Sequence, residues 1–251
     1  MTLRRLESHA EVLAASGGSP FVRYDLPTQL AGPGFELEGA VAVVRRTHTG
    51  RLGLLCLGTV EGLAVLVPQA LEAGLGNLPL RGFTTQRGTL EAVGPSFPPG
   101  PVSEWEWMYA VQPPPVVPAE SHLVAVAEDS LPDVAALLAL ANPRTDAVPT
   151  AGADQTWVGA RDDGGRLVAC GVLEPNRAGY PILSGITVHP SHRGGGLGLA
   201  ITAYLTRRAV AAAGVCTLSL YSDNDVARRV YAGLGYGEVH AWSSRHFGAP
   251  S

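Results

Sequence analysis

Ile186-Thr187-Val188-His189-Pro190-Ser191-His192-Arg193-Gly194-Gly195-Gly196-Leu197-Gly198-Leu199 runs a β-rich segment directly into glycines and then into a helical pattern reaching about Ala213. A junction of this kind makes an anion site: backbone N–H groups at a helix start have no internal acceptor, and the aligned peptide dipoles add positive potential. The four glycines, Gly194, Gly195, Gly196 and Gly198, put no side chain in the way of a diphosphate. By itself the run has a plainer alternative, a sharp strand-to-helix turn. A dinucleotide fingerprint is excluded, because Gly194-x-Gly196 is followed by Leu199 and Gly196-x-Gly198 by Ile201, so neither frame completes G-x-G-x-x-G. A Walker-type loop needs a lysine, and all 18 basic residues of the chain are arginine.

Outward from this point the elements alternate. Downstream, Gly214 ends the helix, residues 217–221 alternate polar and apolar as a strand, and Val226, Val230 and Leu234 mark one face of a second helix that Gly235 closes. Residues 237–247 read as extended. Upstream, 156–161 and 166–173 form an antiparallel pair around Asp162-Asp163-Gly164-Gly165. Before them come a strand at 123–127, a helix from Leu131 to Leu140 with Pro132 in its first turn, and an irregular stretch at 142–154.

Two of these segments carry a resemblance. Arg193, Gly196 and Gly198, following the strand Ile186-Thr187-Val188, match the R/Q-x-x-G-x-G/A pattern of the GNAT superfamily of N-acetyltransferases. Asn224, Ala227 and Tyr231, followed by Leu234-Gly235-Tyr236, resemble the second half of that family's cofactor site, an N-x-x-A-x-x-x-Y helix and an L-G-[FY] turn. The resemblance covers about 123–247. It implies an α/β (α+β) fold: a mixed, mostly antiparallel sheet with flanking helices and splayed central parallel strands, here 183–188 and 217–221. Acetyl-CoA is then expected in the V-shaped opening between those strands, against Ile186, Val188, Arg193, Gly194, Gly195, Gly196, Leu197, Gly198, Leu199, Asn224 and Ala227. Asn224 also reads as a helix N-cap.

The implied activity is acetyl transfer from acetyl-CoA to a primary amine of a small molecule or a protein by direct attack. Tyr231 is the candidate acid for the departing thiolate, its bland alternative being aromatic packing over Ala227. Many relatives place a carboxylate on the strand before the glycine turn, but Leu183-Ser184-Gly185-Ile186-Thr187-Val188 contains none. The base is therefore sought in Glu174, with His189 or a water relayed by Ser184 as alternatives. The missing strand carboxylate also keeps open a non-catalytic acyl-CoA sensor. Asp146 and Asp154 are the acids of the loop expected to face the amine.

The N-terminal half shows β-rich runs at 39–46 and 51–59 joined by Thr47-His48-Thr49-Gly50, then an amphipathic segment at 63–73, without a phosphate-binding turn. It reads as an accessory domain or as a degenerate relative of the second half, the latter giving two related domains in tandem. The boundary is set at Gln112-Pro113-Pro114-Pro115-Val116-Val117-Pro118, since consecutive prolines favour an extended strut. Domains are expected at 1–112 and 122–251, with a linker at 113–121. Trp105 and Trp107 read either as a substrate groove or as packing.

Composition narrows the classes. Apolar residues make up 46% and charged residues 16%, which describes a folding chain, and the net charge of -4 gives no footprint for nucleic acid or an anionic membrane. No run approaches the ~18 apolar residues of a membrane span. Cys56, Cys170 and Cys216 lie among apolar neighbours as reduced thiols, which implies a cytoplasmic protein. His48, His122, His240 and His246 lack ligand spacing, so no metal is expected. Partners are limited to acetyl-CoA and an amine, the chain acting as monomer or homodimer.

Overall fold

A computed structural model describes residues 2–47, 49–150 and 154–247; of the positions read above, His48 and 151–153 lie outside them. The chain packs as two compact units, one of Met1–Trp107 with His240–Ser251 and one of Met108–Val239.

The first unit holds β1 (Arg4–Leu6), α1 (His9–Ala15), α2 (Pro20–Asp25), β2 (Gly34–Leu37), β3 (Ala40–Arg46), β4 (Leu52–Leu57), α3 (Val60–Glu72), β5 (Gly82–Gln86), α4 (Leu90–Val93) and most of β6 (Val102–Ala110). The second holds β7 (Val124–Ala125), α5 (Leu131–Ala141), β8 (Thr156–Arg161), β9 (Leu167–Pro175), β10 (Pro181–Val188), α6 (Leu197–Ala213), β11 (Cys216–Tyr221) and α7 (Asp225–Gly233); β12 (Glu238–His246) returns to the first.

Strand order in the first unit is β1-β2-β3-β4-β5-β12, antiparallel except for β4 and β5, which pair in parallel from Leu54↔Phe83 to Cys56↔Thr85. Residues 40–44 of β3 are apolar and buried without alternation because α1 and α3 both pack on the strand. The second unit runs β11-β10-β9-β8-β7, with β10 and β11 as its parallel pair. The succession β2-β3-β4-α3-β5-α4 of the first unit recurs as β8-β9-β10-α6-β11-α7 in the second.

The unit boundaries fall at Trp107/Met108 and Val239/His240, outside the proline stretch. Residues 113–121 are not a free strut. Arg207 on α6 donates to the Pro115 carbonyl at 3.0 Å and pairs with Glu120, whose carboxylate also accepts from the Val117 amide at 2.9 Å. Trp107 is fully buried, and Phe21 packs on Trp105, Trp107 and Trp242 with centroids 6.0, 5.4 and 4.6 Å away. Trp107 is core, while Trp105 is half-buried and packs against Phe21.

α6 buries Ala200, Ile201, Leu205 and Ala209 on the sheet and stops at Gly214, whose φ of 73° suits a left-handed cap. Gly171 on β9 allows the approach: a Cβ there would sit 2.5 Å from Ile186 and 2.6 Å from Ile201. The face of α7 differs from the expected one. Val226 is 67% exposed, and the packed side chains are Ala227, Val230, Tyr231 and Leu234. Steps of four residues drift about 40° each on a 3.6-residue helix, which carries residue 226 away from the face that 234 occupies. All three cysteines are free and buried. Among the described residues no helix is long and apolar enough to cross a membrane.

Candidate active site

β10 and β11 pair only at Ile182↔Thr217 and Leu183↔Leu218; past Leu183 they part. On its other edge β10 carries a bulge against β9 between Ser184 and Thr187. Gly185 makes the bulge possible on two counts. Its φ is 63°, and a Cβ would lie 3.0 Å from Ala147 and 3.3 Å from the Trp157 ring. The result is a fork with its apex at Ser184 and its mouth, about 13 Å along the strand, beyond Val188.

The glycine turn lies at that mouth. Gly196 is the N-cap of α6 in a left-handed conformation with no side-chain cap, and the first helical bond is Ala200 N–H to the Gly196 carbonyl at 2.9 Å. Among the described residues, the six amides of Gly194, Gly195, Gly196, Leu197, Gly198 and Leu199 donate to no acceptor of the chain. A Cβ at Gly194 would meet nothing within 4 Å, and one at Gly195 only the His192 carbonyl at 3.8 Å. Internal packing therefore does not demand glycine at 195. These residues fit a diphosphate.

Arg193 does not direct its charge there. Its Nε donates to the Val188 carbonyl at 3.3 Å and its terminal nitrogen to the Ala141 carbonyl at 3.4 Å, so the guanidinium braces the end of β10 to the end of α5. Ile186 and Val188 turn their side chains into the core beneath α6. His189, Ser191 and His192 bond one another just before the turn, with Ser191 Oγ 2.7 and 3.0 Å from the two Nδ1 atoms.

At the apex the Ser184 hydroxyl donates to Glu174 Oε1 at 2.7 Å, so Glu174, on the neighbouring strand, stands where a strand carboxylate was missing from β10. Its Oε2 accepts from Gln155 Nε2 at 2.8 Å. The loop after α5 touches both arms of the fork: Asn142 Nδ2 donates to Thr187 Oγ1 at 3.1 Å, and Arg144 donates to Asp223 at 2.7 Å. Hydrogen bonding to Arg144 holds the Asp223 carboxyl below the usual carboxylate range. Sequence reasoning missed Gln155 and Arg144. Neither lies in a motif, and the contacts that bring them to the site, Gln155 with Glu174 and Arg144 with Asp223, join residues 19 and 79 apart.

On α7, Asn224 Oδ1 accepts from the Ala227 amide at 3.1 Å, the N-cap alternative. Tyr231 is buried, its ring centre 5.9 Å from that of Tyr236, and its hydroxyl has no hydrogen-bond partner among the described residues. Burial pushes that hydroxyl up to about 12, so it keeps its proton at neutral pH. The parallel pair of the first unit, β4 and β5, does not part in this way. The Gly58 amide at the end of β4 donates to Gln86 Oε1 at the end of β5, 2.9 Å away, and the Thr59 hydroxyl caps α3 by accepting from the Gly62 amide at 3.1 Å.

Residues 117–236 match the acetyltransferase (GNAT) family. Solved structures share the fold over nearly the whole chain. A putative GNAT-family acetyltransferase from Novosphingobium aromaticivorans is 21% identical, with 96% of this chain and 97% of that one covered and a TM-score of 0.54. A GCN5-related N-acetyltransferase from Kribbella flavida is 19% identical, with 94% and 95% covered and a TM-score of 0.55. One from Sphaerobacter thermophilus is 15% identical, with 99% and 98% covered and a TM-score of 0.54. No curated protein matches.

Proposed function

Proceeding from the match of residues 117–236 to the acetyltransferase (GNAT) family, we propose that this chain is an enzyme that moves an acetyl group from acetyl-CoA to a primary amine by direct attack. The observation that carries the reading is the fork that opens beyond Leu183 with six unpaired amides at its mouth. In this reading the amides of residues 194–199 hold the coenzyme diphosphate, and the parted edge of β10 and the Asn224 side chain lie along its pantetheine arm. Glu174, directly or through Ser184, takes a proton from the incoming ammonium. The amine nitrogen then bonds to the carbonyl carbon and the C–S bond breaks, while the Tyr231 hydroxyl gives its proton to the departing sulfur. No covalent link between protein and acetyl group is needed.

The test is incubation with acetyl-CoA and a panel of primary amines, following free thiol. Thiol release that depends on the amine supports the reading. Tight coenzyme binding with no release on any amine replaces it with a non-catalytic acyl-CoA sensor, and absence of any coenzyme A binding removes both.

A further inference from the structure

We infer that Gln155 is a positioning residue for acetyl transfer, aiming the Glu174 carboxylate at the fork apex and tying it to the loop at residues 148–150. This rests on the acetyltransferase reading above, with Glu174 as its base.

The geometry of the amide carries the inference. Gln155 Oε1 accepts from the Trp157 indole at 2.9 Å and from the Thr150 amide at 3.0 Å. Its Nε2 donates to the Val148 carbonyl at 3.0 Å and to Glu174 Oε2 at 2.8 Å. A flipped amide would turn its NH2 group toward two donors, so these partners allow one orientation, and that orientation presents a donor to Glu174. The other carboxylate oxygen holds the Ser184 hydroxyl. Glu174 is thus gripped at both oxygens by neutral groups. A guanidinium in place of Gln155 would hold the carboxylate ionised more firmly and make it a poorer base, whereas an amide fixes its direction without adding charge. Through Val148 and Thr150 the same amide reads the position of the loop expected to meet the acceptor, so a displaced loop releases the carboxylate.

Gln155→Ala, Gln155→Glu and Glu174→Gln are compared with the unaltered full chain, using an amine that it acetylates. For each we measure kcat, KM for the amine, the pH dependence of kcat/KM and coenzyme affinity by calorimetry. Gln155→Ala is expected to lower kcat about tenfold, a fraction of what loss of the base itself costs, with coenzyme affinity retained. Because a donor to the charged form is lost, the acidic limb of the pH profile moves upward. Gln155→Glu keeps an acceptor for Trp157 and Thr150 but sets a second carboxylate beside the first, so the limb moves further in the same direction. Retained coenzyme binding certifies folding, and should Gln155→Ala fail to fold, Gln155→Glu decides.

An unmoved limb and unchanged kcat in the Gln155 variants, with Glu174→Gln inactive, overturn the positioning role and leave the enzyme reading intact. A fully active Glu174→Gln overturns the inference and the choice of base, but not acetyl transfer. An unaltered chain that binds coenzyme and turns over no amine overturns both.

Discussion

The Arg144 guanidinium carbon lies 4.0 Å from the centre of the Tyr221 ring, and the Tyr221 hydroxyl donates to the Arg144 carbonyl at 3.2 Å. With Asn142 bound to Thr187 on the other arm, residues 142–144 span the parted strands. Arg144→Ala is expected to raise KM for the amine while coenzyme affinity holds, and to shift the thermal midpoint little, because the ion pair with Asp223 is exposed. Its pH dependence follows from Asp223. A carboxyl whose folded value is depressed contributes above its ordinary range, and the contribution is lost as pH falls through the lowered value. The strap should therefore hold at neutral pH and loosen only in strong acid, visible as the Asp223 titration by NMR.

Gly195 separates ligand demand from packing demand. Its φ is not in the left-handed region and its Cβ position is open, so Gly195→Glu should leave the thermal midpoint nearly unchanged. The added carboxylate would face the diphosphate, and coenzyme affinity should fall by about tenfold or more, the effect of roughly 1.4 kcal/mol. Calorimetry checks this, and undiminished affinity would move the diphosphate elsewhere.

Tyr231→Phe removes a hydroxyl that bonds to nothing in the described chain, so stability should stay within about 0.5 kcal/mol or rise. Turnover should fall by about a hundredfold with coenzyme affinity unchanged if the phenol is the acid. A second signature is alkaline. The folded phenol titrates near 12, above the ~10 of an unfolded chain, so its contribution is full below pH ~10 and is lost between there and about 12. The phenylalanine variant should show a shallower loss of stability across that window.

Coenzyme stoichiometry is expected to be one per chain. In the first unit the Gln86 side chain bridges the ends of β4 and β5 and Thr59 takes up an amide of the helix start. Titration of the full chain reports the ratio directly, and two equivalent sites would contradict the expectation.

Much of the second unit was legible from local sequence. The hairpin about Asp162–Gly165, the glycine turn and the glycine stop at 214 are set by backbone conformations that few other residues adopt, so short-range chemistry announces them. Periodicity was a poorer guide to α7, where a four-residue spacing pointed at Val226 although the buried face passes through Ala227 and Tyr231. Similarly, Arg193 matched a motif yet spends its guanidinium on two main-chain carbonyls.

By itself, then, the sequence determined where a glycine turn must form and which helix follows it, because those features depend on residues adjacent in the chain. Tertiary structure alone decided that β10 and β11 part after Leu183, that the Glu174 carboxylate meets the Ser184 hydroxyl, and that β12 pairs with β5 in the first unit. Each depends on strand register between segments far apart in sequence, and register is fixed by packing over a whole sheet rather than by any local signal.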